Sequence, residues 1–411
     1  MRIPSGFSGY DRRVWILFYG RIIASTGFSV VMPFLALYLN QGLGVSMTMV
    51  GLVLLVSSSV GAVGQLVGGE LADRIGRKPV MYMSLYSRAL VMGVLALAVS
   101  QTVGFEVIAL LITMTSFLGS MYEPATNALV ADIVEPSKRL EAYGLLRIGG
   151  NLGWSIGPAL GGLMAVFGFP VLFIVAGLAT SIVASIIMLF VTESLKPGGV
   201  HERFRLADLA KLRKDKQFLG FCIVSIFLFM MFMQMSSTME IYSIQTVGIS
   251  QAEVGYLFTE NGLMVVFMQF PIARLISRYR ITGVIAAGAF TYAIGYFLLA
   301  FSTGFAWLFG CMFILTIGEM VVSPSTMNLT AKLSPERERG RYMGIFGLFT
   351  SVGSSFGPFA GGVLMDSSGT NHIELWAGIA IFGVIAGIGY LIIGRKMSKE
   401  INQVEGGYRG S

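Results

Sequence analysis

Apolar runs of roughly 20 residues recur from one end of the chain to the other, separated by short polar segments. Each is long enough to cross a hydrocarbon core about 30 Å thick as a helix. A window of about 19 residues places spans at 14–39, 47–68, 80–100, 106–132, 142–166, 169–191, 218–242, 252–276, 283–302, 306–332, 342–365 and 374–394. None shows the alternating period of a membrane barrel strand, and a helix satisfies its own backbone groups within lipid. The pattern predicts an all-α membrane protein with twelve transmembrane helices. The first run lacks a short apolar core followed by a small-residue cleavage site, so it reads as a retained span.

Composition agrees with that pattern. Of 411 residues, 55% are hydrophobic and 12% charged, with a mean hydropathy of +0.75. Soluble domains are about 25% charged, so this chain cannot cover itself with polar surface. The loops after spans 1, 3, 5, 7, 9 and 11 contain no lysine or arginine. The positive-inside rule then places both termini in the cytoplasm, and the short tails and bare outer loops suit a cell (inner) membrane. The longest polar stretch divides the chain into a six-helix bundle at 1–192, a linker at 193–217, and a second bundle with a tail at 218–411. Within the linker, R-L-A-D-L-A-K-L-R-K reads as a short amphipathic basic helix on the inner leaflet. Cys222 and Cys311 fall in apolar spans, and His201 and His372 fall in loops. This arrangement suggests neither disulfide nor metal site. No G-x-x-x-x-G-K-[ST] loop is present, which argues against ATP-driven transport. No cofactor, enzymatic activity or nucleic-acid partner is expected.

Gly157-Pro158-Ala-Leu-Gly161-Gly162 recurs 200 residues later as Gly357-Pro358-Phe-Ala-Gly361-Gly362. Proline in a helix interior costs about 3 kcal/mol, so its repetition needs a reason. The same shift aligns Pro124-Ala-Thr with Pro324-Ser-Thr, Arg139 with Arg339, Gly144 with Gly344 and Gly153 with Gly353. Six spans therefore map onto six spans in parallel. Two such halves about an axis normal to the membrane are the arrangement of one large transporter fold.

Between spans 2 and 3 stands Gly69-Glu70-Leu-Ala-Asp73-Arg74-Ile-Gly76-Arg77-Lys78. It matches the signature G-x-L-a-D-r-x-G-R-[RK], and the chain resembles the major facilitator superfamily, within it the twelve-span drug–proton antiporters. The resemblance covers nearly the whole chain. It implies that Asp73 latches one conformer by reaching the start of a second-half helix. It also implies that the loop arginines, Arg74 and Arg77, join the acid ending span 4, Asp132, with Arg147 well placed to enter the cluster. The second half carries Ala273-Arg274-Leu-Ile-Ser-Arg278-Tyr-Arg280 at the equivalent loop, without the acid or the glycines. Gly157-Pro158-x-x-Gly161-Gly162, with Gly153 one turn earlier, resembles the motif that marks exporters. A missing donor at Pro158 permits a bend, and the glycine faces permit close packing. The second copy, Gly353, Gly357-Pro358 and Gly361-Gly362, implies a matching seam. One departure is Thr115, four residues before Gly119, where the antiporter family carries an arginine implicated in proton transfer. The family's usual monomer is the expected form.

Ionisable groups within spans cost about 2.5–3.5 kcal/mol or more, and each needs a role. Glu319 lies mid-span in T-I-G-E-M-V-V-S-P, Glu123 precedes Pro124, and Glu260 precedes Asn261. These three are the candidates for proton coupling, with Glu319 first. Arg21, Glu123, Gln234, Glu260, Asn261, Gln269 and Glu319 are the candidates for substrate contact. Arg88 reads as structural or snorkelling, because the third span is peripheral in the resembled fold. The expected function is proton-coupled export of cationic amphiphiles or drugs by alternating access. The alternative is a proton-coupled transporter of a defined metabolite such as a sugar, amino acid or lysolipid, in which Arg21 carries more of the recognition.

Overall fold

In a computed structural model of the chain, residues 10–135, 138–195, 215–335 and 339–402 are described. The expected linker helix at 205–214 lies outside them. Among the described residues every regular element is a helix. In chain order the α-helices are α1 Arg12–Leu37, α2 Met47–Ile75, α3 Arg77–Ser100, α4 Phe105–Ser120, α5 Tyr122–Ile133, α6 Arg139–Ala165 and α7 Phe169–Phe190. They continue with α8 Lys216–Phe232, α9 Thr238–Gln245, α10 Gln251–Ile276, α11 Ile281–Leu298, α12 Phe305–Leu333, α13 Arg339–Ser368, α14 His372–Lys396 and a last short turn, Lys399–Asn402.

Ten helical runs are long and apolar enough to cross a membrane among these residues. The other two spans, α6 and α10, are 27 and 26 residues long. Their glycines, asparagines and acids lower their hydropathy, not their length. Helix starts follow local chemistry. The Asp11 side chain accepts from Arg13 N, and Ser250 and Glu253 form a reciprocal capping box. Large apolar side chains such as Leu66, Leu90, Phe267 and Phe270 stand exposed on the helix surfaces. Such a surface suits lipid as its solvent.

Four spans differ from plain helices among the described residues. The first ends in a π-helical turn, Tyr38–Gly42. The fourth is divided at Met121 into α4 and α5. The seventh breaks after α8 into a 3-10 turn, Met233–Ser236, and resumes as α9, with Ser237 at φ −141° and ψ −88° between them. The ninth ends in a 3-10 turn, Leu299–Phe301.

The described chain divides into two compact units. In the first, which runs to Gly44 and from Val56 to Leu195, α1 packs along α6 and α7, and α3 along α7. Its core gathers Val14, Leu17, Met81, Leu85, Leu129 and Ile187. The second unit takes Val45–Leu55 together with the residues from Asp215 onward. There α8 packs on α13 and α14, and α11 on α12 and α14. An aromatic column runs through this core: Tyr242 meets Trp376 edge-on at 5.0 Å, Trp376 stacks on Tyr296, and Tyr296 stacks on Tyr292. The first turn of α2 joins the second unit through Asp366, whose carboxylate accepts from Met47 N at 3.1 Å and Thr48 N at 2.7 Å.

Candidate functional site

In the first unit the charged loop between α2 and α3 folds around one guanidinium. Arg77 is 1% exposed, and it donates to Asp73 at 2.9 Å, to Asp132 at 3.1 Å and to the carbonyl of Ala72. Two carboxylates and a carbonyl satisfy a charge that burial alone would penalise heavily. Asp132 also accepts from Ser194 Oγ at 2.8 Å. Gly76 sits at φ +112°, a conformation that favours glycine. Its turn aims the first amides of α3 at Glu193, which accepts from Arg77 N at 3.1 Å and Lys78 N at 3.0 Å. Burial opposes ionisation of Glu193, but amides of Leu195, Arg77, Ser194 and Lys78 outweigh it and hold its carboxyl below the usual range. Arg74 pairs with Glu70 one turn away at 2.8 Å and is well exposed. Gly69 packs loosely near Pro124, and Arg147 is exposed on α6.

Deeper in this unit Arg21 on α1 forms an ion pair with Glu123 on α5. Both side chains keep some exposure, at 31% and 42%. Arg88 on α3 has no such partner. Its guanidinium lies 5.2 Å from the centroid of the Phe28 ring, and its Nε is buried without a hydrogen bond.

The glycine-rich faces form helix seams within each unit. A Cβ on Gly153 would come within 2.6–2.7 Å of Ile22 O, Ser25 Cβ and Thr26 N on α1. Gly157 meets Thr26 O and Ser29, Gly161 meets Val30 O, and Gly162 is buried beside them in sequence. Ser29 Oγ donates to Gly153 O at 3.1 Å, which ties the two backbones. In the second unit Gly353 meets Ile226 O, Gly357 meets Met230 O, and Gly361 meets Gln234 and Thr238. Both Pro158 and Pro358 lie inside helices that continue past them. Gln234 is fully buried. Its amide nitrogen donates to Gly357 O at 2.7 Å and Met230 O at 3.2 Å, and its oxygen accepts from Thr238 at 2.7 Å. A substrate would have to displace these bonds to reach it.

The acids of the second unit are set differently. Glu319 on α12 accepts from Asn261 Nδ2 at 2.8 Å, and the same nitrogen donates to Thr316 at 3.1 Å. Gln269 binds the Met320 carbonyl at 3.0 Å, one residue beyond Glu319. Glu260 is 8% exposed, and neither of its oxygens has a partner. The structure thus brings Asn261, Glu319 and Thr316 together and sets Gln269 one residue on. A cavity of about 120 Å³ lined by Ala273, Ser277, Pro324 and Asn328, among others, contains none of these acids.

Three acids lie outside the motifs read from sequence. Glu193 and Asp366 cap helices far from them in the chain, which no spacing rule announces. Glu240 on α9 is 1% exposed with both oxygens unpartnered. It meets the same criterion of an acid in an apolar run that singled out Glu319, but it stands close to the end of its span.

The sequence profile described as Major Facilitator Superfamily matches residues 17–250 and 235–407. The chain belongs to that superfamily. It is therefore a multi-pass membrane transporter of the major facilitator fold. Relatives within the superfamily include the Na(+), Li(+), K(+)/H(+) antiporter of Planococcus maritimus, 24% identical over 85% of this chain and 89% of the relative. The multidrug resistance protein MdtH of Salmonella arizonae is 25% identical over 93% of each chain. Among solved structures, a POT family transporter in complex with a thioalcohol conjugated peptide superposes with a TM-score of 0.76. Its identity is 16%, and the match covers 97% of this chain and 98% of that one. At that identity the likeness speaks for the fold alone.

Proposed function

We propose that this superfamily member is a proton-coupled exporter of cationic amphiphiles, residing in the cell membrane with both termini cytoplasmic. The observation that carries the reading is the set of acids in the second unit. Glu319 is held by an amide, and Glu260 is unpartnered. Among the described residues no salt bridge reaches either. A carboxyl without a base can exchange its proton for a cationic cargo, which is the minimum an antiporter needs. Glu123 is already engaged by Arg21, so the coupling role falls to Glu319 first and Glu260 second. Asn261 and Gln269 then orient Glu319 and its neighbouring backbone.

In the same reading 1–192 and 218–411 are the moving halves, 193–217 is their tether, and the protein works as a monomer. The cluster of Asp73, Arg77 and Asp132 serves as the conformational latch, with Arg74 and Arg147 at its rim. The seams at Gly153, Gly157-Pro158 and Gly161-Gly162, and at Gly357-Pro358, keep each half tight to ions while it moves. A second reading, exchange of an inorganic monovalent cation for protons, is favoured by the relative from Planococcus maritimus. A defined metabolite remains the third.

The test is a proteoliposome assay with an imposed pH gradient, following a lipophilic dye cation and, separately, sodium. Dye flux in the wild type that is lost in Glu319→Gln supports the exporter and its acid together. Sodium flux without dye flux selects the second reading. No gradient-driven flux of any cation overturns both.

A further inference from the structure

We propose that Arg88 is a binding site for the anionic head of an amphiphilic ligand, a carboxylate or a phosphate, in the first unit. Arg88 stands at the middle of the 24-residue helix α3, about 17 Å from either helix end at the rise of an α-helix. One side chain cannot carry its charge to either membrane surface from there. Guanidinium stays protonated at any physiological pH, so it cannot escape the cost of its position by losing a proton. Its charge requires a counterpart.

The described residues supply none. Among the described residues no hydrogen bond or ion pair reaches Arg88, and its buried Nε is unsatisfied. The acids nearest in kind are taken: Glu123 by Arg21, and Asp132 by Arg77. What the protein does supply is shape. A Cβ on Gly119 of α4 would come within 2.8–2.9 Å of Arg88 Nη1, Cδ and Cζ, so the bare glycine is what leaves room for the head. The guanidinium lies over Phe28 of α1, whose edge meets Trp154 of α6 at 5.9 Å, and Trp154 is 38% exposed. A cation–π contact offsets part of the cost of the charge and leaves the donors of the fork unused. An unpaired planar fork over one aromatic ring, with a second ring beyond it, fits a ligand with an anionic oxygen pair and an apolar tail. The ligand is a free amphiphile or a phospholipid whose head has been drawn in from the membrane surface, since both present the same chemistry.

This inference needs no gradient and stands apart from the exporter reading. The experiment uses the full-length protein in phosphatidylcholine nanodiscs, titrated with dodecanoate, with dodecyltrimethylammonium and with inorganic phosphate, and read by tryptophan fluorescence. We expect dodecanoate to bind the wild type and to bind Arg88→Gln about tenfold more weakly or worse. Arg88→Lys should recover part of the affinity, and dodecyltrimethylammonium should not distinguish the three proteins. Inorganic phosphate should bind far more weakly than dodecanoate, because it lacks the tail. Repeating the titration in nanodiscs containing phosphatidylglycerol separates the sources: weakened dodecanoate binding assigns the site to a lipid head, and unchanged binding assigns it to a free amphiphile. Equal dodecanoate affinity in wild type and Arg88→Gln, or equal loss in Gln and Lys variants that melt like the wild type, would overturn the proposal.

Discussion

Glu240 and Arg77 are both about 1% exposed, yet they are ionisable groups of opposite standing. Arg77 is held by two carboxylates and a carbonyl, whereas neither oxygen of Glu240 is bonded. A buried polar group without a partner costs about 1–3 kcal/mol on mutational evidence. Removing the polarity while keeping the volume should therefore return that amount. We expect Glu240→Met to raise the thermal midpoint of the detergent-solubilised protein, and Glu240→Gln to leave it near the wild-type value. A fall in the midpoint of Glu240→Met would show that the carboxyl makes bonds that stabilise the fold. Residues of this kind were only half legible. Glu319, Glu260 and Glu123 stand out because an acid in an apolar run has few innocent explanations. What decides their chemistry is a partner such as Asn261 or Arg21, far away in sequence, and no local pattern announces it.

At the level of helices, the glycine faces were legible because small residues at four-residue spacing mark a seam. The structure separates the glycines that matter from those that do not. Gly153 has Ile22 O and Thr26 N of α1 against it, and backbone cannot give way, whereas Gly144 on the same helix has nothing within 4 Å. Gly153→Ala should destabilise by about 1–3 kcal/mol through overpacking. Gly144→Ala should stabilise by about 0.5–1 kcal/mol through helix propensity. Thermal unfolding of the two variants side by side checks both signs at once. The break in the seventh span was not legible, because no glycine or proline marks residues 233–237. Its cause is tertiary: Gln234 and Thr238 bond each other and reach into the space left by Gly361 of α13. Glu193 adds a pH-dependent cap to α3. Its carboxyl is held below the ordinary glutamate value of about 4.3. The stabilisation is therefore complete above that value and lost as pH falls through the depressed one. Glu193→Gln should melt below the wild type at neutral pH, and the gap should close on acidification. A gap that does not change with pH would assign the cap to geometry alone.

Across the whole molecule, the 200-residue repeat and the charge-poor loops made the twelve-span architecture readable, because lipid allows so few solutions to a run of apolar residues. The repeat also sharpens what is not repeated. Deep in the first unit, the acid Glu123 is engaged by Arg21, and Arg88 adds a further positive charge. In the interior of the second unit stand Glu240, Glu260 and Glu319, with no salt bridge to any of them among the described residues. Sequence symmetry therefore accompanies an electrostatic asymmetry, and the proposed cation exchange falls in the second unit. This predicts where a proton leaves when cargo binds. Adding a lipophilic cation to the purified protein in weakly buffered detergent solution should release protons, followed with a pH indicator. Glu319→Gln should abolish most of the release. The double variant Arg21→Gln/Glu123→Gln should leave it intact, because it removes a neutral pair rather than an exchangeable acid. Release that survives in Glu319→Gln but disappears in Glu260→Gln would move the exchange one helix over, from α12 to α10, and keep it within the second unit. Release that depends instead on Glu123 would return the coupling to the first unit and break the link between electrostatic asymmetry and ion exchange.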